Sequence, residues 1–177
     1  IYSQEPLVLY YELPAEYFMR DLIALYHFEE DAYFGQGVKV RDSSGNAYHG
    51  AVNGNCNTTA DGYFGRGLSM DGDDWVLLPD EATVKEMSEM TISLWYKIED
   101  NDFSGLLSHN EPMPNDLSLG VDGSNLYFST NDVSLSAPAS PYEWHHVALA
   151  AGDGTYRLYL DGELVDSEAG PVPNGAR

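Results

Sequence analysis

The short polar stretch Asp42-Ser43-Ser44-Gly45-Asn46 carries the side chains of this sequence that best suit metal chemistry. It places a carboxylate, two hydroxyls and an amide around a glycine, and glycine permits a tight bend. Calcium takes about 6–8 oxygen ligands from groups of this kind. Such a loop can turn several oxygens inward, so a calcium site is one interpretation. The alternative is that Asp42 and Asn46 only cap the turn by bonding to the backbone.

Paired carboxylates are the pattern expected of a glycoside hydrolase, which uses one as nucleophile and one as acid/base. On a strand, residues of one face lie two positions apart. The nearest match is Glu29-Glu30-Asp31, and no third carboxylate follows in step. His145 and His146 are neighbours that point to opposite faces of a strand, which argues against a shared zinc site. We therefore expect no catalytic residues, and glycoside hydrolysis is the weakest interpretation.

Aromatic side chains are abundant, with 13 Tyr, 6 Phe and 3 Trp. Exposed aromatic rings favour binding interfaces. Tyr33 and Tyr63 lie in glycine-rich stretches, so we expect them in exposed loops where they would contact a ligand. Trp95 and Trp144 fit strand positions, and we expect both to pack in the core, with Trp75 at the edge of the core.

The charge of the chain excludes several classes of partner. There are 29 acidic and 8 basic residues, which gives a formal net charge of −21. Nucleic acids and anionic lipids require a basic footprint, so we expect neither as a partner. Cys56 is the single cysteine, which leaves no disulfide framework. No segment has the ~18–20 consecutive apolar residues of a membrane span, so we expect no direct membrane insertion.

A two-residue periodicity dominates from Leu22 onward. Thr91-Ile92-Ser93-Leu94-Trp95-Tyr96 alternates polar and apolar residues, and it places Trp95 on the face opposite Ile92, Leu94 and Tyr96. Asp161-Gly162 between two apolar runs predicts a hairpin, as do Asp122-Gly123 and Gly152-Asp153-Gly154. Many short strands joined by turns predict an all-β fold, a two-sheet antiparallel β-sandwich.

An ordered set of phrases narrows that fold. The motifs Asp42–Asn46 and His49-Gly50 are followed by four longer motifs. The first is glycine-rich, the second is a strand with a tryptophan, the third is a strand with two histidines and the fourth is a hairpin. In order, their sequences are Phe64-Gly65-Arg66-Gly67-Leu68-Ser69-Met70-Asp71-Gly72-Asp73-Asp74-Trp75-Val76, Thr91-Ile92-Ser93-Leu94-Trp95-Tyr96, Trp144-His145-His146-Val147-Ala148-Leu149 and Leu158-Tyr159-Leu160-Asp161-Gly162-Glu163-Leu164-Val165. Over roughly residues 23–175 the chain resembles the laminin-G-like (concanavalin A-like, pentraxin-like) jelly-roll domains of secreted microbial surface proteins. The resemblance implies an extracellular or cell-surface location.

The same resemblance implies particular site residues. Some members hold a structural calcium between two turns and the first strand, which makes Asp42 and Asn46 the best candidates here, followed by Glu29 and Asp74. In pentraxins an acid and an amide after the tryptophan strand help to hold a ligand-bridging calcium. Asn115 and Asp116 match that pair by position only, and the alternative for them is a solvated loop.

The ends of the chain differ from the family pattern. Residues 22–177 resemble a sandwich that lacks its last strands, whereas residues 1–21 look like the family's final strand and the short helical turn after it. We expect the strand to supply an assembly surface, formed by Leu7, Val8, Leu9, Tyr10 and Tyr11. It would complete its own domain, as in a circular permutant, or a neighbouring subunit by strand addition. The alternative is that the chain is a trimmed fragment.

These inferences lead to one expected function and one alternative. We expect a non-catalytic extracellular recognition or adhesion module, stabilised by calcium, that binds carbohydrate or another cell-surface ligand. The alternative is a structural subunit of an extracellular filament or surface array, joined to copies of itself by strand exchange. A domain of this fold hosts many activities, so the fold does not decide between them.

Overall fold

The computed structural model describes residues 21–31, 39–82, 89–99, 103–109 and 117–171. These residues are almost entirely strands and turns, and every strand pair among them is antiparallel. The strands are β1 Lys39–Val40, β2 Gly50–Asn53, β3 Asn57–Thr59, β4 Gly67–Ser69, β5 Trp75–Leu77, β6 Met90–Tyr96, β7 Ser104–His109, β8 Leu117–Asp122, β9 Asn125–Thr130, β10 Ser134–Pro138, β11 His145–Gly152, β12 Thr155–Leu160 and β13 Glu163–Ala169. One 3-10 turn occupies Asp80–Ala82.

Two four-stranded sheets form a sandwich. Sheet I has the strand order β13-β12-β11-β6, and sheet II has the order β10-β9-β8-β7. The predicted hairpins join their strands: Asp161 and Gly162 between β12 and β13 have φ angles of 52° and 87°. Positive φ at both central positions is what a type I′ turn requires. The all-β sandwich and its hairpins are confirmed.

The main core lies between the two sheets. Strand β11 alternates buried and half-buried residues along its length, so Val147 and Leu149 face inward and Ala148 faces outward. Across the core, Phe128 of sheet II stacks on Tyr156 of sheet I with ring centroids 5.5 Å apart. Fifteen buried residues make up this cluster, and at ~25 cal/mol per Å² of apolar area their burial is the main stabilising contribution of the sandwich.

Strands β1 to β5 form a smaller and more polar region. β1, β2 and β5 make a three-stranded sheet, and β3 pairs with β4. Only three buried residues form the hydrophobic cluster here, Val40, Val52 and Cys56. Burial raises the pKa of the Cys56 thiol, which favours its neutral form.

The two-residue periodicity predicts extended strand from Leu22 onward, but residues 22–28 form only an isolated bridge between Tyr26 and Asp42. Two causes are visible. The backbone carbonyls of Leu22 and Ile23 accept hydrogen bonds from the amide side chain of Asn46, so they are taken by a side chain instead of a partner strand. Phe28 has a φ of 57°, which interrupts extended backbone.

The outer edge of β10 is covered by side chains of β13. The backbone N–H groups of Ser134 and Ser136 donate to the carboxylates of Glu168 and Asp166, each at 2.9 Å. Edge strands present unpaired N–H groups that invite pairing with another chain. These carboxylates occupy two such groups and tie the edge of sheet II to the edge of sheet I. At the other side, β6 and β7 each pair with one strand only within the described part of the chain.

No helix among the described residues has both the length and the apolar character that crossing a bilayer requires.

Candidate functional site

Asp42 is the centre of a hydrogen-bonded turn. Its carboxylate accepts bonds from the backbone N–H groups of Leu25 at 2.9 Å, Ser44 at 2.8 Å and Tyr48 at 2.9 Å, and from the Ser44 hydroxyl at 2.8 Å. Burial alone would raise the pKa of Asp42, but these bonds outweigh it and lower the pKa to about 2. A carboxylate has about four lone-pair sites, so the protein itself occupies those of Asp42.

The other predicted calcium ligands bond to different parts of the backbone. Glu29 accepts from the N–H of Arg66 at 3.1 Å, and Asp74 accepts from the N–H of Asn55 at 2.5 Å. Among the described residues, the group of three or more acidic, histidine or cysteine side chains that lie close enough for one ion is Asp71, Asp73 and Asp74. The structure therefore places Asp74 beside its own neighbours in sequence. The Asp42 side chain bonds to backbone N–H groups, and the Asn46 amide donates to the carbonyls of Leu22 and Ile23. Calcium binding stays a prediction.

Several predicted site residues lie outside the described residues. They are Asn115 and Asp116, Tyr33, and the assembly residues Leu7, Val8, Leu9, Tyr10 and Tyr11. Their predicted roles stay predictions.

Tyr63 belongs to a group of aromatic rings on the outer face of sheet I. Its ring stacks on Trp95 with the centroids 3.5 Å apart and the planes 11° from parallel. Phe64 meets both rings edge-on, at 4.7 Å from Tyr63 and 5.9 Å from Trp95. Trp144 stands 6.3 Å from Tyr63. We call these four residues the aromatic platform.

The platform is accessible to solvent. Phe64 is 71% exposed, Tyr63 46% and Trp95 37%. The prediction that Trp95 packs in the core is wrong, because the alternation of β6 points Ile92, Leu94 and Tyr96 inward and Trp95 outward. That alternation was readable in the sequence. Trp75 is 55% exposed, so it also lies farther from the core than predicted.

Two parts of the chain build the platform. Tyr63 and Phe64 lie in the connection between β3 and β4, where Gly65 adopts a φ of 70°. The backbone N–H of Arg66, just after this bend, is held by Glu29. Trp95 comes from β6 and pairs with His146 of β11, whose ring lies 5.1 Å from the indole. The platform is therefore contributed jointly by the small region and the sandwich.

A polar rim surrounds the rings. Lys97 holds its ammonium 5.7 Å from the centre of the Trp144 ring, and it pairs with Asp61 at 2.7 Å and Glu99 at 3.5 Å. The bond to Asp61 raises the pKa of Lys97 above its ordinary value. His146 bonds through Nε2 to the Ser93 hydroxyl at 2.8 Å.

Asp161 also belongs to the polar rim, next to His146. One carboxylate oxygen accepts from the backbone N–H of His146 at 2.9 Å, and the other lies 2.7 Å from Nδ1 of the buried His145. Burial acts to raise the pKa of Asp161, but the bonds from His146 and His145 outweigh it, so the pKa is lowered. Asp161 is therefore a carboxylate at neutral pH.

A shallow open depression of about 490 Å³ lies on this surface, lined by Tyr63, Trp95, Trp144, His146, Asp161 and Gly162. Flat apolar rings beside hydrogen-bonding groups suit a ligand with an apolar face and a polar edge. Sequence reasoning found Tyr63 but missed Phe64, Trp144, Lys97 and Asp161. Asp161 was read only as a turn residue, and the contacts of the others depend on the fold of two separate segments.

Comparison with known proteins places this geometry in context. A family model described as the concanavalin A-like lectin/glucanases superfamily matches residues 70–176. A search of curated proteins finds no match.

Three solved structures illustrate the likeness. Domain 4 of AbnA, a GH43 extracellular arabinanase from Geobacillus stearothermophilus in complex with arabinotriose, is 21% identical, with 83% of this chain and 81% of that chain covered and a TM-score of 0.60. An S-layer domain-containing protein (residues 221–444) from Clostridium thermocellum is 23% identical, with coverage of 84% and 72% and a TM-score of 0.55.

The third structure is the binding domain of botulinum neurotoxin DC in complex with SialylT. It is 19% identical, and 79% of this chain aligns with 40% of that chain at a TM-score of 0.56. This chain thus spans less than half the length of that binding domain. At these identities the likeness shows a shared fold.

Proposed function

Since the chain belongs to the concanavalin A-like lectin/glucanase superfamily, we propose that it is a non-catalytic, extracellular carbohydrate-binding module whose ligand stacks on the aromatic platform. The observation that carries the proposal is the exposed group of Tyr63, Phe64 and Trp95 on the outer face of sheet I. A sugar ring presents C–H groups on one face and hydroxyls around its edge, which matches apolar rings bordered by polar side chains.

The structural neighbours support the same class of function. The arabinanase domain is in complex with arabinotriose, and the toxin binding domain is in complex with SialylT. The arabinanase is extracellular, and another neighbour is an S-layer domain-containing protein. The arabinanase domain therefore combines an extracellular protein with a bound oligosaccharide. The proposal extends that combination to this chain.

A matched pair of phenylalanines tests the site. Phe64 on the platform is 71% exposed, and Phe103, which precedes β7 of sheet II, is 67% exposed. Phe64→Ala removes stacking surface and is expected to weaken glycan binding about tenfold, ~1.4 kcal/mol. Phe103→Ala removes the same side chain elsewhere and is expected to change affinity less than about twofold.

The experiment begins with a glycan array probed with the intact chain, followed by titration calorimetry of the strongest hit and of arabinotriose on the three proteins. The bound glycan is recovered afterwards and its length is checked by mass spectrometry. Equal losses in both variants would remove the platform from the proposal. Shortened glycan would contradict the non-catalytic role and revive glycoside hydrolysis. Absence of any glycan binding would overturn the proposed function.

One observation favours a second candidate, a structural subunit assembled by strand exchange. In the described part of the chain, β6 and β7 each have a neighbour on one side only. An open sheet edge accepts an added strand through main-chain hydrogen bonds, and residues 7–13 form a mostly apolar run that is long enough to supply one.

Light scattering in solution, with and without calcium, tests this candidate on the intact chain and on a version lacking residues 1–13. Assembly that disappears on truncation would support strand exchange between subunits. A monomer at both lengths, with a lower melting temperature after truncation, would instead favour completion of the strand's own domain. A monomer at both lengths with equal melting temperatures would exclude both roles for the segment.

A further inference from the structure

We infer that the aromatic platform is selective for uncharged glycans, and that Asp61 and Glu99 enforce this selectivity by neutralising Lys97. The inference rests on the proposed carbohydrate-binding function and adds a ligand class to it. Sialic acid, uronic acids and sulfated sugars are the glycans that it excludes.

Lys97 is the group that an acidic glycan would need. Its ammonium lies 5.7 Å from the centre of the ring of Trp144, one of the residues that line the depression. A lysine beside a stacking surface can pair with a sugar carboxylate through a charge-assisted hydrogen bond. Here Asp61 at 2.7 Å and Glu99 at 3.5 Å already neutralise the charge of Lys97. An acidic glycan would have to compete with two carboxylates that belong to the protein.

Asp161, which lines the depression, adds a third carboxylate. With histidines counted as neutral, the rim therefore carries three carboxylates against one ammonium. The whole chain extends this field, with a formal net charge of −21. Like charges brought together at an interface are strongly unfavourable, so an anionic sugar is repelled both on approach and when bound.

An uncharged glycan meets no such opposition. Its hydroxyl groups can donate to the free lone pairs of Asp61 and Glu99, since an ionised carboxylate only accepts hydrogen bonds. Its ring face can lie on Phe64 and Tyr63 without bringing charge to the rim. The same acidic rim that repels anions therefore supplies acceptors for neutral sugars.

Matched glycan pairs test the selectivity. The probes are lactose with 3′-sialyllactose, and galactotriose with trigalacturonic acid, together with any neutral array hit. Calorimetric titrations are run at about 20 mM and 150 mM salt, because screening weakens repulsion between exposed charges. The wild type is expected to bind the neutral member at least about tenfold more tightly at low salt. The difference in affinity between the neutral and the acidic glycan is expected to become smaller at the higher salt concentration.

A charge-matched pair of double variants identifies the residues responsible. Asp61→Asn with Glu99→Gln releases Lys97 and is expected to raise the acidic-to-neutral affinity ratio about tenfold. The control, Asp122→Asn with Asp153→Asn, removes the same charge at hairpin turns away from the platform. Asp153 has a φ of 51°, which asparagine tolerates. The control is expected to change the ratio less than about twofold.

The outcomes separate the two claims. A raised ratio in the platform variant alone supports the inference. Wild-type binding of the acidic members as tight as that of the neutral ones overturns the ligand class and leaves the proposed function standing. An equal rise in both double variants overturns the role of Asp61 and Glu99. If neither the matched probes nor any glycan on the array binds at about 10 mM, the proposed function fails and the inference fails with it.

Discussion

The sandwich and the small region of β1 to β5 are held together by different forces. Fifteen buried residues fill the space between sheets I and II, whereas three form the cluster of the small region. In the small region, polar bonds to Asp42 replace much of that packing. The stability of the sandwich therefore depends on buried apolar area, whereas the stability of the small region depends on the ionised carboxylate of Asp42.

The functional consequence lies where the two regions meet. The small region contributes Tyr63 and Phe64 to the platform and Asp61 to its rim. The sandwich contributes Trp95 and Trp144 to the platform and Lys97 to its rim. The stacking and ion pairing that join the two regions are thus the same contacts that shape the proposed binding surface. A change that loosens the small region is expected to weaken binding without unfolding the sandwich.

The largest loss of stability is expected from a substitution in the sandwich core. Phe128 is fully buried and stacks on Tyr156, so Phe128→Ala leaves a cavity that neighbouring strands cannot fill. We expect the free energy of unfolding to fall by about 3–5 kcal/mol, measured by urea denaturation at pH 7. Phe103→Ala, at an exposed position, should cost less than about 0.5 kcal/mol. Similar losses in the two variants would contradict the dominance of this core.

The second largest loss of stability is expected from substitution of Asp42. Asp42→Asn replaces a charged acceptor by an amide whose NH₂ group faces backbone donors, and we expect a loss of about 2–3 kcal/mol. Hydrogen exchange should show faster opening in residues 21–31 and 39–56 and little change in β11 and β12. Uniform acceleration across the chain would mean that the two regions unfold as one unit.

Acid should remove the difference in stability between the wild type and Asp42→Asn. The pKa of Asp42 is about 2 in the folded protein, below its ordinary value near 4. A lowered folded-state pKa stabilises the protein above the unfolded pKa, and this contribution is lost as the pH falls through the folded pKa. Urea midpoints of the two proteins should therefore stay apart above about pH 4 and converge toward pH 2. A gap that stays constant over this range would refute the role of the charge.

The smallest effect is expected where the regions join. Tyr63→Ser removes the ring stacked on Trp95, and an aromatic pair is worth about 0.5–1.5 kcal/mol. We expect a loss of stability in that range, together with a red-shifted tryptophan emission as Trp95 becomes more exposed. Unchanged emission would show that Tyr63 does not cover Trp95 in solution.

The sequence determines the sandwich well because its signals are local. Asp-Gly at 161–162 dictates a turn with positive φ, and the alternation of β6 and β11 sorts their residues between core and surface. The ordered motifs identify the jelly-roll family, and the family model that matches residues 70–176 confirms the resemblance.

The site was less predictable because its contacts join distant segments. Tyr63 and Trp95 are 32 positions apart in the sequence, and no local pattern shows that one ring covers the other. Trp95 fits a strand position in the sequence, but its place in the alternation of β6 puts it on the outer face, where it is 37% exposed. At Asp42 the residues allowed both a cap and a metal ligand, and the choice depends on which backbone N–H groups the fold brings near.

The carboxylates of Asp166 and Glu168 give the sandwich two unequal sides. Continuous growth of a sheet from molecule to molecule needs a free edge for accepting and another for donating. On the β10 side, the N–H groups of Ser134 and Ser136 are already bonded within the molecule, so that side is a poor template for a foreign strand. The β10 edge of sheet II is therefore protected from edge-to-edge association with another molecule. Exchange of a separate donor strand is not limited by this protection, because β6 and β7 each pair with one strand only among the described residues.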